Sequence, residues 1–246
     1  MRALILSDLH SNLEALQTTL GYARGLVYDR VLVLGDIVGY GPDPNGVVGA
    51  LRGHPGVTAI RGNHDRVAAG VSEPDGFNDA ARASALWTRA ALEPASLGYL
   101  RALTQGPLTF APRGLLAHGS PLDEDQYLLD PASARACFDQ VPFDLCFFGH
   151  SHLPCCFALE GDRVRLLVAR SDHAVFTLTP GARHLINPGS LGQPRDRNPK
   201  CSFALYDDVE ATVTIHRLEY PLERTRDKIL AAGLPASLGD RLRIGV

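Results

Sequence analysis

Five short motifs bring carboxylates, an amide and imidazoles into a fixed order along the chain: Asp8-Leu9-His10, Gly35-Asp36, Gly62-Asn63-His64-Asp65, His118-Gly119 and Gly149-His150-Ser151-His152. Each alone is common in surface loops, and only the ordered set is informative. Two carboxylates, one amide and four imidazoles make a mixed oxygen and nitrogen donor set. Such a set suits Mn²⁺, Fe, Zn²⁺, Co²⁺ or Ni²⁺ better than Ca²⁺ or Mg²⁺, and Mn²⁺ is placed first. The expected division puts Asp8, His10 and His152 on one ion and Asn63, His118 and His150 on a second, with Asp36 bridging both. Two divalent ions outweigh two carboxylates and a bridging hydroxide by about one positive charge, which favours an anionic substrate such as a phosphate ester. Ions about 3.5 to 4 Å apart can clamp phosphoryl oxygens while activating a shared water for in-line attack. A proton donor is then needed opposite the nucleophile. His64, beside Asn63, is the candidate for that acid or for stabilising the leaving oxygen, and Asp65 either orients its imidazole or caps a helix or turn.

These side chains do chemistry together only if the chain delivers them to one place. Ala3 to Leu6 is an apolar run ending at Ser7-Asp8, and Asn12 opens a segment with Leu13, Leu16 and Leu20 on one helical face. Val31 to Leu34 closes at Gly35-Asp36, Pro44 to Arg52 forms a short helix, and Val57 to Ile60 ends at Arg61-Gly62-Asn63. Fully apolar strands separated by helical crossovers predict a parallel sheet. Parallel strands share a carboxyl edge, so Asp8, Asp36 and Asn63, spaced 28 and 27 residues apart, should meet there.

Residues 78 to 104 read as two helices broken near Glu93-Pro94, followed by strands at Leu108 to Ala111 and Gly114 to Ala117, the second stopping at His118. Asp130-Pro131 opens a further helix, and Leu145 to Phe148 is a strand stopping at Gly149-His150. Beyond Pro154 the pattern becomes short strands between turn residues: Cys155 to Glu160, Val164 to Arg170, Ala174 to Thr179, Cys201 to Tyr206 and Val213 to Leu218. This half reads as antiparallel. A terminal helix spans Glu223 to Ala232. No repeat or linker divides the chain, so residues 1 to 246 are expected to form one domain in which the two halves pack as two sheets.

A length of 246 residues suffices for a sizeable core without disulfides. The five cysteines contain no Cys-x-x-Cys and lie mostly in apolar runs, which predicts buried reduced thiols and a cytoplasmic location. The first apolar run is too short for a signal peptide, and no stretch of about 18 apolar residues exists to span a membrane. With a net charge of −3 there is no broad basic face for nucleic acid. The partner expected is a small phosphorylated substrate. A homo-oligomer stays open.

The five motifs resemble the signature of the calcineurin-like metallophosphoesterases. The further strings Ser7-Asp8-Leu9-His10-Ser11-Asn12, Gly39-Tyr40-Gly41-Pro42 and Asn187-Pro188-Gly189-Ser190-Leu191-Gly192-Gln193-Pro194-Arg195-Asp196 resemble the small bacterial and archaeal branch. The resemblance implies an α/β fold, a four-layer α/β/β/α sandwich of two mixed sheets flanked by helices, with a dinuclear centre divided as above. It also implies hydrolysis of phosphomonoesters or phosphodiesters. In the Ser/Thr protein phosphatases of that superfamily, and in symmetrical dinucleoside polyphosphate hydrolases, the second motif continues as Asp-Arg-Gly. Here Asp36 is followed by Ile37-Val38-Gly39, which speaks against both. Arg195 is the expected replacement as a phosphate clamp, since a guanidinium fork matches phosphoryl oxygens, with Arg61 and Arg66 as further candidates. Tyr40 could line the pocket or simply pack, and Asn12 reads as a helix cap. His54, His173, His184 and His216 have no partner motif and are assigned to surface or core. Two rivals remain: a non-catalytic interaction scaffold of the same fold, as in the retromer subunit, and a nuclease for short oligonucleotides.

Overall fold

The computed structural model describes residues 1–246. Its strands are β1 (Arg2–Leu6), β2 (Arg30–Val33), β3 (Val57–Ala59), β4 (Leu108–Ala111), β5 (Gly114–Leu116), β6 (Leu145–Phe147), β7 (Cys155–Glu160), β8 (Arg163–Val168), β9 (His173–Thr177), β10 (Arg183–Asn187), β11 (Cys201–Asp207) and β12 (Thr212–Leu218). The helices are α1 (Leu13–Ala23), α2 (Pro44–Gly53), α3 (Asn63–Ala68), α4 (Asp79–Ala91), α5 (Pro94–Ala102), α6 (Pro131–Gln140), α7 (Leu222–Ala231) and α8 (Ala236–Asp240). Local sequence accounts for several boundaries. Asn12 caps α1 by accepting from the Ala15 amide, Asp130 caps α6, and Pro at the first turn opens α2, α5 and α6.

Two mixed sheets result, ordered β3-β2-β1-β11-β12-β9 and β4-β5-β6-β10-β7-β8. In β1 the side chains alternate between two cores. Ala3 and Ile5 join Leu32, Phe147, Ile186 and Ala204 between the sheets, whereas Leu4 and Leu6 pack outward with Leu16, Val47, Leu51 and Leu100 from α1, α2 and α5. Burial on both faces is why the run reads as continuously apolar. The second sheet places Cys146, Phe157 and Leu185 against Ala134, Cys137 and Phe138 of α6, completing the order helix, sheet, sheet, helix.

One expectation is overturned. The two halves of the sequence do not form the two sheets, because each sheet draws strands from both. β11 pairs antiparallel with β1, and β10 pairs parallel with β6. Without β11 and β10, two buried apolar strands would be left as open edges, with unpaired backbone groups in the core. β10 was not anticipated at all, since Arg183-His184-Leu185-Ile186-Asn187 has only two apolar residues. α3, α8 and a 3-10 turn at Arg241–Arg243 also escape the sequence pattern, being too short for a helical period. All five cysteines are free and buried, and no helix is long and apolar enough to cross a membrane. Of the unassigned histidines, His184 and His216 are core residues and His173 is exposed.

Candidate metal centre

Asp8 follows β1, Asp36 follows β2, Asn63 opens α3 after β3, His118 follows β5, and His150 and His152 follow β6. β1, β2 and β3 run parallel in one sheet and β5 runs parallel to β6 in the other, so within each sheet the carboxyl ends share an edge, and the side chains beyond the two edges meet. The seven expected donors, with His10, are all buried. Asp8, His10, Asp36 and His152 offer donor atoms within 4.8 Å of one another, and Asp36, His118 and His150 form a second such group. Asp36 belongs to both. Asn63 joins the second group through Oδ1, which lies 3.1 Å from His118 Nε2.

Close approach is obtained with glycine and with strained backbone. A Cβ on Gly62 would overlap Asp36 Oδ1 and His118 Cε1, and one on Gly149 would overlap Ser7 Oγ. That is why a glycine precedes Asn63 and His150. Asp8, His10, Asp36, His150 and His152 all have φ between 47° and 62°, a region that L residues seldom occupy. Such strain persists only where surrounding structure enforces it, and it concentrates at functional sites.

Each imidazole has one nitrogen tied to a backbone carbonyl. His10 Nδ1 lies 3.2 Å from Val38 O, His118 Nδ1 2.8 Å from Leu34 O, His152 Nδ1 2.5 Å from Gln193 O and His150 Nε2 3.1 Å from Asp125 O. A carbonyl only accepts, so each ring carries an N–H outward and turns its other nitrogen inward; on His10, His150 and His152 that nitrogen is a lone pair, and on His118 it becomes one when a metal displaces its second proton. This is the arrangement metal-binding histidines require, and the donor set therefore fits divalent transition metals. Ser7 Oγ donates to Asp8 Oδ2 at 2.6 Å, and the His64 amide donates to Asp36 Oδ1 at 2.9 Å.

The electrostatics agree. Burial drives His10 and His152 well below their ordinary range and takes His150 down to about 3. Burial also opposes charge on His118, but Asp36 and Asp8 overcome it and hold that ring at about 10. Asp36 is correspondingly held well below the usual carboxylate range: burial pushes it up, and His118, His64 and His10 more than reverse this. Without metal, His118 thus carries the compensating positive charge of the cluster.

A cavity of about 280 Å³ opens over the cluster, lined by Asp36, Asn63, His64, His150, His152, Arg195, Tyr40, Phe77, Asn78 and Tyr127 among others. His64 reaches it with its ring 4.3 Å from Tyr40 and 4.6 Å from Phe77, and its Nδ1 has no partner. Asp65 does not orient that ring. It turns the other way and accepts from Val38 N and Gly62 N, both at 3.0 Å, so it clasps the second and third motifs together. Burial, then the charge of Asp36, pushes it up to about 7.

Arg195 lines the cavity with its Nε unpartnered and its Nη2 held loosely by Tyr40 Oη at 3.4 Å and Gln193 Oε1 at 3.3 Å. Arg61 is taken by Glu124 and Gln105, and Arg66, although at the cavity wall, is paired with Glu124 and Asp125. Tyr40 both packs and lines the pocket. The segment 187–196 ties the first and last motifs together: Ser190 Oγ donates to Asp8 O, and Asn187 Nδ2 to Gly149 O. Sequence reasoning missed Phe77, Asn78 and Tyr127, whose loops lack any metal-type motif, and the backbone carbonyls, which carry no residue signature. Tyr127 stacks on His150 with ring centroids 3.9 Å apart.

Residues 1–210 match the model of the calcineurin-like phosphoesterase superfamily domain. The chain belongs to that superfamily. A calcineurin-like fold extends over the whole chain in two solved relatives. A metallophosphoesterase from Sphaerobacter thermophilus is 35% identical with a TM-score of 0.87 over 100% of both chains. A hypothetical protein from Pyrococcus horikoshii superposes with a TM-score of 0.82 at 22% identity, over 100% of this chain and 98% of the other, and speaks for the fold alone. An uncharacterized protein of Methanocaldococcus jannaschii is 34% identical over 98% of this chain and 97% of its own length. Family and buried cluster together support metal-dependent phosphoester hydrolysis in general terms.

Proposed function

We propose that this calcineurin-like protein is a dinuclear phosphoesterase acting on small phosphodiesters or phosphomonoesters, with residues 1–246 working as one unit. The observation that carries the reading is the orientation of four imidazole nitrogens toward two buried carboxylates, each ring turned by a backbone carbonyl that holds its other nitrogen. Asp8, His10 and His152 would hold one ion and Asn63, His118 and His150 the other, with Asp36 shared and Mn²⁺ the first choice. Two such ions would polarise the phosphoryl oxygens and supply a nucleophilic water at neutral pH.

The chain's own residues do the rest. His64 is fixed between Tyr40 and Phe77 at the cavity wall; its Nδ1 is buried against Gly39, so Nε2 is the nitrogen that would meet the leaving oxygen. Burial takes it down to about 4, so it is neutral until an anionic phosphate, adding to the pull of Asp36, stabilises its protonated form. Arg195 offers a guanidinium with no carboxylate partner to the phosphoryl oxygens. Asn63, with Oδ1 turned to the cluster, keeps Nδ2 free to donate to substrate.

The test is metal content and turnover of paired aryl monoesters and diesters, run on wild type, Asp36→Asn, His64→Ala and Arg195→Ala. Two ions per chain are expected in wild type, fewer in Asp36→Asn, and two with impaired turnover in the other variants. Undiminished turnover in Asp36→Asn and His64→Ala would end the proposal. A metal-loaded wild type inert toward both ester classes would favour the scaffold reading instead.

A further inference from the structure

The loop that follows His118 is held from several sides. A Cβ on Gly119 would overlap the Glu124 and Gln126 backbone, so the loop folds directly onto that residue. Ser120 Oγ accepts from the Leu122 and Asp123 amides and donates to Gln126 Oε1 at 2.6 Å. Arg61 and Arg66 both hold Glu124, Arg66 also holds Asp125, and Asp125 O accepts from His150 Nε2. These ties fix Tyr127, whose ring lies on His150 with centroids 3.9 Å apart and planes 30° from parallel. Tyr127 is nevertheless 48% exposed, and the surface that His150 leaves uncovered borders the cavity over the metal cluster. Phe77 borders the same cavity from the loop before α4, with its ring 4.6 Å from His64. The two rings converge because both histidines are built around Asp36: the His64 amide donates to Asp36 Oδ1 at 2.9 Å, and the donor atom of His150 lies within 4.8 Å of the Asp36 carboxylate. Beside Phe77, Asp75 is exposed and unpaired, and Asn78 gives Oδ1 to the Ala81 amide while keeping Nδ2 free.

We propose that the cavity takes a phosphoester whose organic part carries a flat aromatic ring, with Tyr127 as the stacking surface that selects it; the proposal rests on the phosphoesterase reading above. A half-exposed aromatic is ordinary on a protein surface. One that is already immobile loses little freedom when a ring stacks on it, so the ties of its loop are converted into affinity. Arg66 is on this account a strut that positions Tyr127 through Asp125 and Glu124, which explains why it is paired although it reaches the cavity wall. Every flat π-system can use such a surface, so a plain aryl ester and a nucleotide are the two sources of this chemistry. Asp75 and Asn78 add an acceptor and a donor at the same cavity, which match the amino groups and ring nitrogens of a nucleobase. A volume of about 280 Å³, at the small end of ligand pockets, fits one phosphoester with one ring system.

Calorimetric titration of the metal-loaded protein with phosphonates, which it cannot hydrolyse, tests this by binding instead of turnover. The three probes are methylphosphonate, benzylphosphonate and the methylene-phosphonate analogue of adenosine monophosphate. Wild type should bind the two ring-bearing probes about tenfold or more tightly than methylphosphonate. Tyr127→Phe, which keeps the ring, should retain that advantage. Tyr127→Leu, which still covers His150 but offers no flat face, should lose it while binding methylphosphonate as wild type does. Equal affinity of wild type for all three probes overturns the proposal and leaves the phosphoesterase reading standing, as does an advantage that survives in Tyr127→Leu. Failure of a metal-loaded wild type to bind any of the three overturns both. Tighter binding of the adenosine probe than of benzylphosphonate identifies the ring as a nucleobase, and equal binding of the two identifies it as any aryl group.

Discussion

The Nε2 atoms of His10 and His152 face each other at 3.2 Å across 142 residues of sequence. Each ring already gives its Nδ1 proton to a carbonyl, Val38 O and Gln193 O respectively, so the facing atoms are two lone pairs. Burial in addition keeps both rings uncharged. Two inward lone pairs repel unless a cation lies between them, and Asp8 Oδ1 and Asp36 Oδ2 stand 3.4 and 3.6 Å from these same nitrogens.

Loss of His64 should depend on the leaving group. An acid matters most when the departing oxygen is strongly basic, so His64→Ala should lower kcat about 10²- to 10⁴-fold for alkyl esters and much less for nitrophenyl esters. Metal content should be unchanged. Steady-state kinetics over a series of leaving-group pKa values checks this, and an equal loss across the series would remove His64 from the acid role.

Asp65→Ala should act first on stability. It leaves the Val38 and Gly62 amides without acceptors in a fully buried place, a cost of about 2 to 4 kcal/mol. Asp65→Asn keeps one acceptor and should lose roughly half as much. Denaturant melts of the two variants would measure the difference; a wild-type midpoint for Asp65→Ala would contradict the clasp.

Gly62→Ala should disturb the cluster through sterics alone, because the added methyl meets Asp36 Oδ1 and the His118 ring. The expected outcome is metal affinity reduced by an order of magnitude or more, with about 1 to 3 kcal/mol of stability lost. Gly21→Ala in α1, where a methyl meets nothing within 4 Å, is the control and should be neutral or stabilising by up to about 1 kcal/mol. Metal titration of both variants decides the point.

His216 should give the acid limb of stability a component unrelated to metal. Its ring stacks on Phe203 at 5.2 Å, with Tyr22 Oη 3.5 Å from Nδ1 and His173 beside it. Burial, then His173, lowers it from 6.5 to about 4. The unfolded chain therefore takes the proton first, so this contribution is complete above pH 6.5 and is lost as pH falls toward 4. His216→Phe should shrink the drop in Tm between pH 7 and pH 5 by roughly 2 to 4 °C. Parallel thermal melts at the two pH values provide the measurement.

Much of the donor cluster was legible because its signal is local. A strand buried on both faces must be apolar throughout, so β1, β2 and β6 announce themselves, and the Asp or His that follows each is marked by the abrupt change of polarity. The glycines before Asn63 and His150 were legible as motif letters, but their reason, the overlap a Cβ would cause, is a contact with residues elsewhere in the chain. Asp65 shows the opposite limit. Adjacency to His64 made it look like a partner of that ring, whereas the start of α3 turns its carboxylate toward Val38 and Gly62.

By itself, then, the sequence determined the donor types, their order, the strand ends that bear them and the α/β class, since all of these follow from apolar runs and side-chain chemistry along the chain. Only the tertiary structure decided that β11 lies against β1 and β10 against β6, that four distant carbonyls orient the imidazoles, and that Arg195 stays unpaired while Arg61 and Arg66 do not. Pairing between stretches far apart in sequence depends on which buried backbone groups and charges are left to satisfy once the layers have packed, and no stretch of polypeptide carries that information alone.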